Sequence, residues 1–405
     1  MGLVAEWRAL AKPQKMAVYA AYLGWTLDAF DFFLMVFSVK AIAAAFGADK
    51  TSVAEALFYT LAMRPFGALV FGWLAERIGR RPVLVMVVLA FSVLSALSGM
   101  AQSLAQLLVI RALFGFAMGG EWGIGASLAM ETIPPRLRGP VSGLIQAGYP
   151  SGYLIASLAY FLFFDAIGWR GMFMLGLAPA LFVLFVRLHV EESPHYVARQ
   201  GKPLDHPLRA LGKNWKLALY LVVLMALFNS LSHGTQDLYP TFLQEQRGYG
   251  TQLTGLIAIV MNCGAITGAM LMGPLSERIG RRRTIALAAL VTLVVLPLWV
   301  WAPNAPLLAL GAFLMQAGVQ GAWAMVPAHL NELSPPAVRA MFPGFVYQLG
   351  NLLSSYNVVV QTGIAEARGN DFAYALALFG AIVAVLLALW ANLGPERSGE
   401  DLAPH

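Results

Sequence analysis

Charge and cysteine are what this 405-residue chain has least of. Asp, Glu, Lys and Arg make up only 12 % of it, while hydrophobic residues reach 59 %; an ordinary soluble protein carries about a quarter charged residues. So little charge excludes a soluble globular surface and points to lipid as the main solvent. Cys263 is the only cysteine, which excludes an intramolecular disulfide and a thiol cluster for a metal. No metal-ligand spacing and no nucleophile elbow occurs, so no metal, no cofactor and no enzymatic activity is expected. Basic residues are scattered through short loops, which excludes a nucleic-acid face.

What the chain has is apolar length. A bilayer core of roughly 30 Å needs about 20 apolar residues per helical span. Twelve spans are expected, centred near Phe32, Arg64, Leu89, Met118, Ile155, Leu177, Met225, Ile266, Leu290, Gln316, Leu352 and Ile382. In lipid the backbone must satisfy its own hydrogen bonds, and runs this long without alternation do so as helices. The basic residues concentrate in alternate loops, among them Arg77, Arg80 and Arg81, Arg136 and Arg138, and Arg278 with Arg281 to Arg283. By the positive-inside rule those loops and both termini are expected in the cytoplasm. No small-residue cleavage site follows the first apolar run, so it is expected to be retained in an inner or plasma membrane.

The chain is written twice. GWLAERIGRR (72–81) recurs as GPLSERIGRR (273–282), and ETIPPRLR (131–138) as ELSPPAVR (332–339), both at an offset of 201. Asp28 falls opposite Asn229 at the same spacing. The polar segment 189–214 divides six spans (1–188) from six (215–405). Two such repeats, each with a basic glycine turn after its second helix, resemble the major facilitator superfamily of transporters. The resemblance covers about Lys15 to Leu393; the family prefers aspartate where this chain has Glu76 and Glu277. It implies an all-α membrane fold of twelve helices in two pseudo-symmetric six-helix bundles, working as a single copy.

The glycine turns leave two roles open for their charges. The arginines can merely set topology at the anionic leaflet. Alternatively, Glu76 and Glu131 with Arg77, Arg80 or Arg138, and Glu277 and Glu332 with Arg278, Arg281 or Arg339, form ion pairs that close a cytoplasmic gate. Glutamates at both duplicated sites favour the gate.

The stretch NSLSHGTQDLYPT (229–241) follows an uninterrupted apolar run. On a helix Asn229, His233, Gln236 and Asp237 fall within about a third of the circumference, a stripe roughly 12 Å tall. Ionisable groups in a span face the bundle interior or a wet cavity; helix-to-helix hydrogen bonding is the plainer role. The stretch resembles the N-x-x-[ST]-H-x-[ST]-Q-D-x-x-x-T signature of lactate permeases, which are proton-coupled monocarboxylate carriers grouped near sialate symporters. Asn229, Ser232, His233, Thr235, Gln236, Asp237 and Thr241 meet it. The resemblance implies that Asn229, His233, Gln236 and Asp237 line a translocation path. It also matches Arg64 on the second helix, and Gln348 and Asn351 on the eleventh.

A small carboxylate crossing lipid needs a cation or several donors to replace its water. Arg64 offers a planar fork suited to it. Its role is either a standing bridge to Asp28 or Asp31, or substrate recognition alternating with that bridge. Asp28 and Asp31 lie one turn apart, and two such carboxylates in an apolar bundle do not both stay ionised. With Asp237, His233 and Glu121 they are the candidate proton carriers, although the glycines around Glu121 also suit close packing. Tyr149, Pro150 and Tyr153 either limit the pocket or pack helices, and His329 reads as structural. The expected function is proton-coupled symport of small monocarboxylates of the lactate and pyruvate class, the partners being a small organic anion, a proton and the bilayer. An aromatic-acid or sialate symporter is the alternative, since LDAFDFF (27–33) resembles the acidic motif of those relatives. A non-transporting sensor would need a soluble signalling domain, which the short tails do not supply.

Overall fold

The computed structural model describes residues 3–200, 206–400 and 402, nearly all of them helical. Residues 201–205 of the expected connector lie outside the described residues. The first half contains α1 (Lys12–Phe46), α2 (Lys50–Ile78) and α3 (Arg80–Gly99). α4 runs as Leu104–Met118 and Glu121–Thr132, and α5 as Arg138–Gln146 and Gly148–Leu175. At Gly168 the backbone leaves helical geometry with φ 60°. The chain turns there, and Trp169 onward, continued by Ala178–His189, forms α6. The second half contains α7 (Trp215–Gln236), α8 (Thr251–Ile279) and α9 (Arg281–Trp301). It closes with α10 (Ala305–Trp323 and Val326–Leu333), α11 (Phe342–Ser354 and Asn357–Glu366) and α12 (Phe372–Leu393).

Among the described residues, ten helical stretches are individually long and apolar enough to cross a membrane. Two of the twelve spans escape that count for local reasons. The stretch Pro135–Phe182 runs through α5 into α6, and α11 is divided into pieces of 13 and 10 residues. The twelve-helix, two-bundle architecture holds.

Local chemistry explains where the helices stop. Gly79 and Gly280 join α2 to α3 and α8 to α9 with φ of 108° and 90°, a conformation that side chains with a Cβ rarely adopt. Ser103 and Asn304, again 201 apart, cap α4 and α10 by accepting the amides of Gln106 and Leu307. α7 ends at Gln236 because Pro240 has no N–H to return to it.

The halves meet along α2 with α11 and α5 with α8. Within each half, α2 packs on α4 and α8 on α10 with backbone touching backbone. A Cβ on Gly67 would lie 1.8 Å from the Phe116 carbonyl oxygen, and one on Gly268 2.0 Å from that of Ala317. Gly268→Val should therefore destabilise the protein by about 1–3 kcal/mol, read as a lower thermal unfolding midpoint in detergent. Gly255→Val, on the same helix where nothing stands within 4 Å, should leave the midpoint unchanged.

Candidate functional site

A cavity of about 520 Å³ lies between the two bundles. The first half lines it with Trp25 and Phe32 of α1, Leu61 and Arg64 of α2, and Gln146 and Tyr149 of α5. The second half supplies Asn229, Ser232 and His233 of α7, Gln320 and Trp323 of α10, and Tyr347 and Asn351 of α11. A larger vestibule of about 1350 Å³ shares Phe32, Leu61, Tyr149, His233 and Asn351 with it. The vestibule continues past Gln236, Asp237 and Ser354, away from the end that carries the basic turns.

The polar stripe of α7 is divided between the two spaces. Asn229 and His233 face the inner cavity, Gln236 and Asp237 the vestibule. His233 Nδ1 lies 3.3 Å from the Asp237 carboxylate, and both side chains are about a third exposed, at 33 % and 38 %. Gln236 is already engaged: its amide donates to Gln316 at 2.9 Å and to Ser232 at 3.1 Å, and Gln316 donates to Thr235 at 3.0 Å. Tyr149 stands at the neck between cavity and vestibule, with Tyr153 further out.

Arg64 is buried on the cavity wall, its Nη2 3.1 Å from Asp28 Oδ1 and 2.6 Å from Met118 Sδ. Its Nε and Asp28 Oδ2 have no hydrogen-bond partner. Of the two carboxylates proposed for its bridge, only Asp28 makes it. Asp31 points elsewhere: it pairs with Arg111 at 3.5 Å and accepts the Ser95 hydroxyl, out of the cavity. Arg111 was missed in the sequence, although the rule that singled out Arg64, a charge in mid-span, applies to it equally. Gln348 is buried beside Tyr347 with both amide atoms unpartnered, outside the cavity lining. Glu121 is buried against Gly24, also outside the lining.

Of the aromatic wall only Tyr149 was expected from the sequence; Trp25, Trp323 and Tyr347 were not. Trp25 lies 5.4 Å from Tyr149 and 6.1 Å from Tyr347, and Trp323 5.7 Å from Tyr347, between ring centroids. The indole N–H groups of Trp25 and Trp323 have no acceptor. The space thus presents one guanidinium, several unpaired donors and flat apolar surfaces. That set suits an oxygen-bearing anion with a flat body.

The basic end is shut. Arg80 pairs with Glu76 at 3.0 Å and Glu131 at 3.2 Å; Arg281 pairs with Glu277 at 2.8 Å and Glu332 at 2.9 Å. Each triad lies within its own half, so the ion pairs themselves do not bridge the gate. The bridging is done by the glutamates' other contacts. Glu76 accepts the Ala340 amide and Glu277 the Gly139 amide, each at 2.6 Å, and both acceptors and both donors are 201 apart. Arg77 and Arg278 are exposed and take no part, Arg77 lying over the Trp73 ring. Arg138 and Arg339 instead donate to the Glu400 and Leu402 carbonyls of the C-terminal segment.

Two contributors from the connector were also missed. Glu192 accepts the Arg80 and Arg81 amides at the start of α3, and Arg199 bonds both Glu76 and the Ala337 carbonyl of the other half. His195 donates from Nε2 to the Pro336 carbonyl at 3.1 Å, and burial holds its imidazole below the ordinary value although this bond and Glu131 act the other way. Glu76→Ala combined with Glu277→Ala removes these two of the bonds that cross between the halves, leaving those from Ser127 to Asn331 and the Arg339 carbonyl and from the Ala328 amide to Ser142. A cysteine placed by Val141→Cys, buried at this interface beside Ala328, in a Cys263→Ser background, should then react with maleimide at least about tenfold faster than in the otherwise native chain. That estimate takes about 1.5–3 kcal/mol per hydrogen bond to a charged group.

A family model described as the Major Facilitator Superfamily matches residues 21–269 and 238–404. A probable 4-methylmuconolactone transporter of Cupriavidus pinatubonensis is 32 % identical over 98 % of this chain and 96 % of its own length. A carboxylic acid transporter protein homolog of Saccharomyces cerevisiae is 28 % identical over 95 % of this chain and 68 % of its own. Among solved structures, the proton:xylose symporter XylE bound to 6-bromo-6-deoxy-D-glucose is similar with a TM-score of 0.75 at 18 % identity, covering 96 % of this chain and 98 % of that one; this is a likeness of fold. The chain belongs to the major facilitator superfamily and is a multi-pass membrane transporter.

Proposed function

We propose that the protein is a proton-coupled symporter of small organic acid anions, working by alternating access as a single copy. The observation that supports this most directly is Arg64. It is a buried cation on the wall of the inter-bundle cavity, with one carboxylate partner and an unused Nε. An incoming carboxylate takes the free side of the guanidinium and loosens its hold on Asp28. Asn229, His233 and Asn351 then offer neutral groups to the remaining oxygens, and Gln348 has two unpaired amide atoms to offer should the helices shift. With the basic loops in the cytoplasm, this is the outward-open carrier. Bundles 1–188 and 215–405 rock about the central site to expose it on the other side.

Two substrate classes compete for the cavity. The seven-position match on α7 favours lactate-like monocarboxylates. The aromatic wall of Trp25, Tyr149, Trp323 and Tyr347 favours a planar, unsaturated or aromatic acid, in keeping with the muconolactone and carboxylic acid transporters among the relatives. Uptake of labelled acid into proteoliposomes, competed with lactate, pyruvate, acetate, benzoate and sialate, separates them. An inward acid gradient should accelerate uptake. Arg64→Ala should raise KM by roughly 10–100-fold, from the loss of about 1.5–3 kcal/mol of charge-assisted bonding. Uptake of every acid that ignores the gradient would refute the coupling.

A further inference from the structure

Glu121 is the one member of the central charged cluster left without a counter-charge. It is 1 % exposed, and its Oε2 is buried with no hydrogen-bond partner. No cation among the described residues makes an ion pair with it. Its other oxygen fills the space that Gly24 leaves on α1, where a Cβ would come within 2.1 Å of it. The groups that act on it are Asp28 from α1, Arg64 from α2 and Tyr347 from α11, while α6 presents the apolar Phe182 beside the same glycine. α3 and the second part of α10 also pack on this segment and bring no charge that acts on it.

Counting charges decides what Glu121 does. Asp28 is balanced by Arg64 at 3.1 Å and Asp31 by Arg111 at 3.5 Å. Ionised throughout, the cluster of three carboxyls and two guanidiniums would hold one net negative charge deep in an apolar bundle. An isolated buried carboxylate costs so much that it is accommodated as the neutral acid. Resting on the symport reading, we propose that Glu121 carries the coupled proton, one for each substrate carboxylate. The proton comes from the outer water and protonates Glu121 while Arg64 is held by Asp28. The anion then binds at Arg64, so the cargo of one proton and one monoanion is neutral. After the anion has left at the basic side, the side of Arg64 that it occupied is free for the Glu121 carboxylate, so the returning carrier bears the same one negative charge as the loaded one. Glu121 then passes its proton to the water there, and the empty carrier returns.

Two measurements on the full-length protein test this. The first is infrared spectroscopy of the substrate-free protein at neutral pH. The carbonyl stretch of a protonated carboxylic acid should be present, lost in Glu121→Gln and retained in Asp237→Asn. The second is uptake of labelled benzoate and labelled lactate into proteoliposomes. Accumulation of the transported acid should follow the pH gradient and ignore an imposed potassium diffusion potential. In Glu121→Gln the accumulation ratio should fall to one, the acid equilibrating without being concentrated; Gly24→Ala, which presses on the same carboxyl, should move it in the same direction. A Glu121→Gln protein that keeps the acid band, or concentrates the acid as the native one does, overturns the assignment. A native protein whose uptake ignores the gradient overturns the symport reading itself, and the infrared band still decides separately whether Glu121 holds a proton.

Discussion

Every charge buried among these helices has to find its compensation inside the protein, because hydrocarbon supplies neither water nor counter-ion. The structure meets this constraint in two distinct ways. At the basic end Arg80 and Arg281 are each held by two glutamates, and every side chain of the two triads except Glu277 is packed to near-zero exposure. At the centre Arg64 has one carboxylate, with an unused nitrogen on its side and an unused oxygen on Asp28. An arginine already paired with two carboxylates has little to exchange, even with the Arg80 Nε unpartnered. An under-coordinated one beside a cavity can take a ligand on its unused side while it keeps its partner, so no buried charge is left alone.

The internal repeat sharpens this contrast. At the basic end the duplication is kept residue for residue: Glu76 and Glu277, Arg80 and Arg281, Glu131 and Glu332. At the centre it is broken. The positions 201 beyond Asp28, Asp31, Arg64, Arg111 and Glu121 are Asn229, Ser232, Ala265, Ala312 and Ala322. The first bundle therefore holds the charges, and the second answers with amides, hydroxyls and small side chains. Opening and closing require the same device on both sides of the pseudo-twofold axis. Taking up a substrate at a single central site does not, so the symmetry is retained at the basic end and lost at the centre.

Much of the architecture was legible because its causes are local. Apolar length predicts spans, and glycine with a positive φ predicts the tight turns at Gly79 and Gly280. A motif repeated at a fixed offset predicts the two bundles. Polar residues in apolar runs located Arg64, Asn229 and His233, which do meet at one cavity. The same signal was too blunt to tell a cavity wall from a helix contact: Gln236 is tied to Gln316, and Asp31 is tied to Arg111. Among the aromatic residues only Tyr149 and Tyr153 were singled out, since a tryptophan facing a cavity and one packed in the core look alike along a helix. Trp25 and Trp323 became site residues only when the two halves were brought together. The gate shows the same limit. Charge identity singled out the glutamates, but whether Arg77 or Arg80 reaches them depends on which side of the turn each arginine falls.

How the basic end can be tight and still open follows from where its strong interactions lie. All three members of each triad move together with their own bundle, so rocking need not separate a buried ion pair, a step that costs about 3–5 kcal/mol when a partner is removed. What crosses between the bundles is weaker. Glu76 and Glu277 accept backbone amides beside the start of the opposite bundle's α11 and α5; there unpaired N–H groups and the helix dipole both favour a carboxylate. Water can replace such a bond once the bundles part, and the glutamates keep their arginines throughout. The triads hold each glutamate aimed across the interface, and the closure is left to these two bonds, those of Ser127 and Ser142 with the opposite half, and the straps around them.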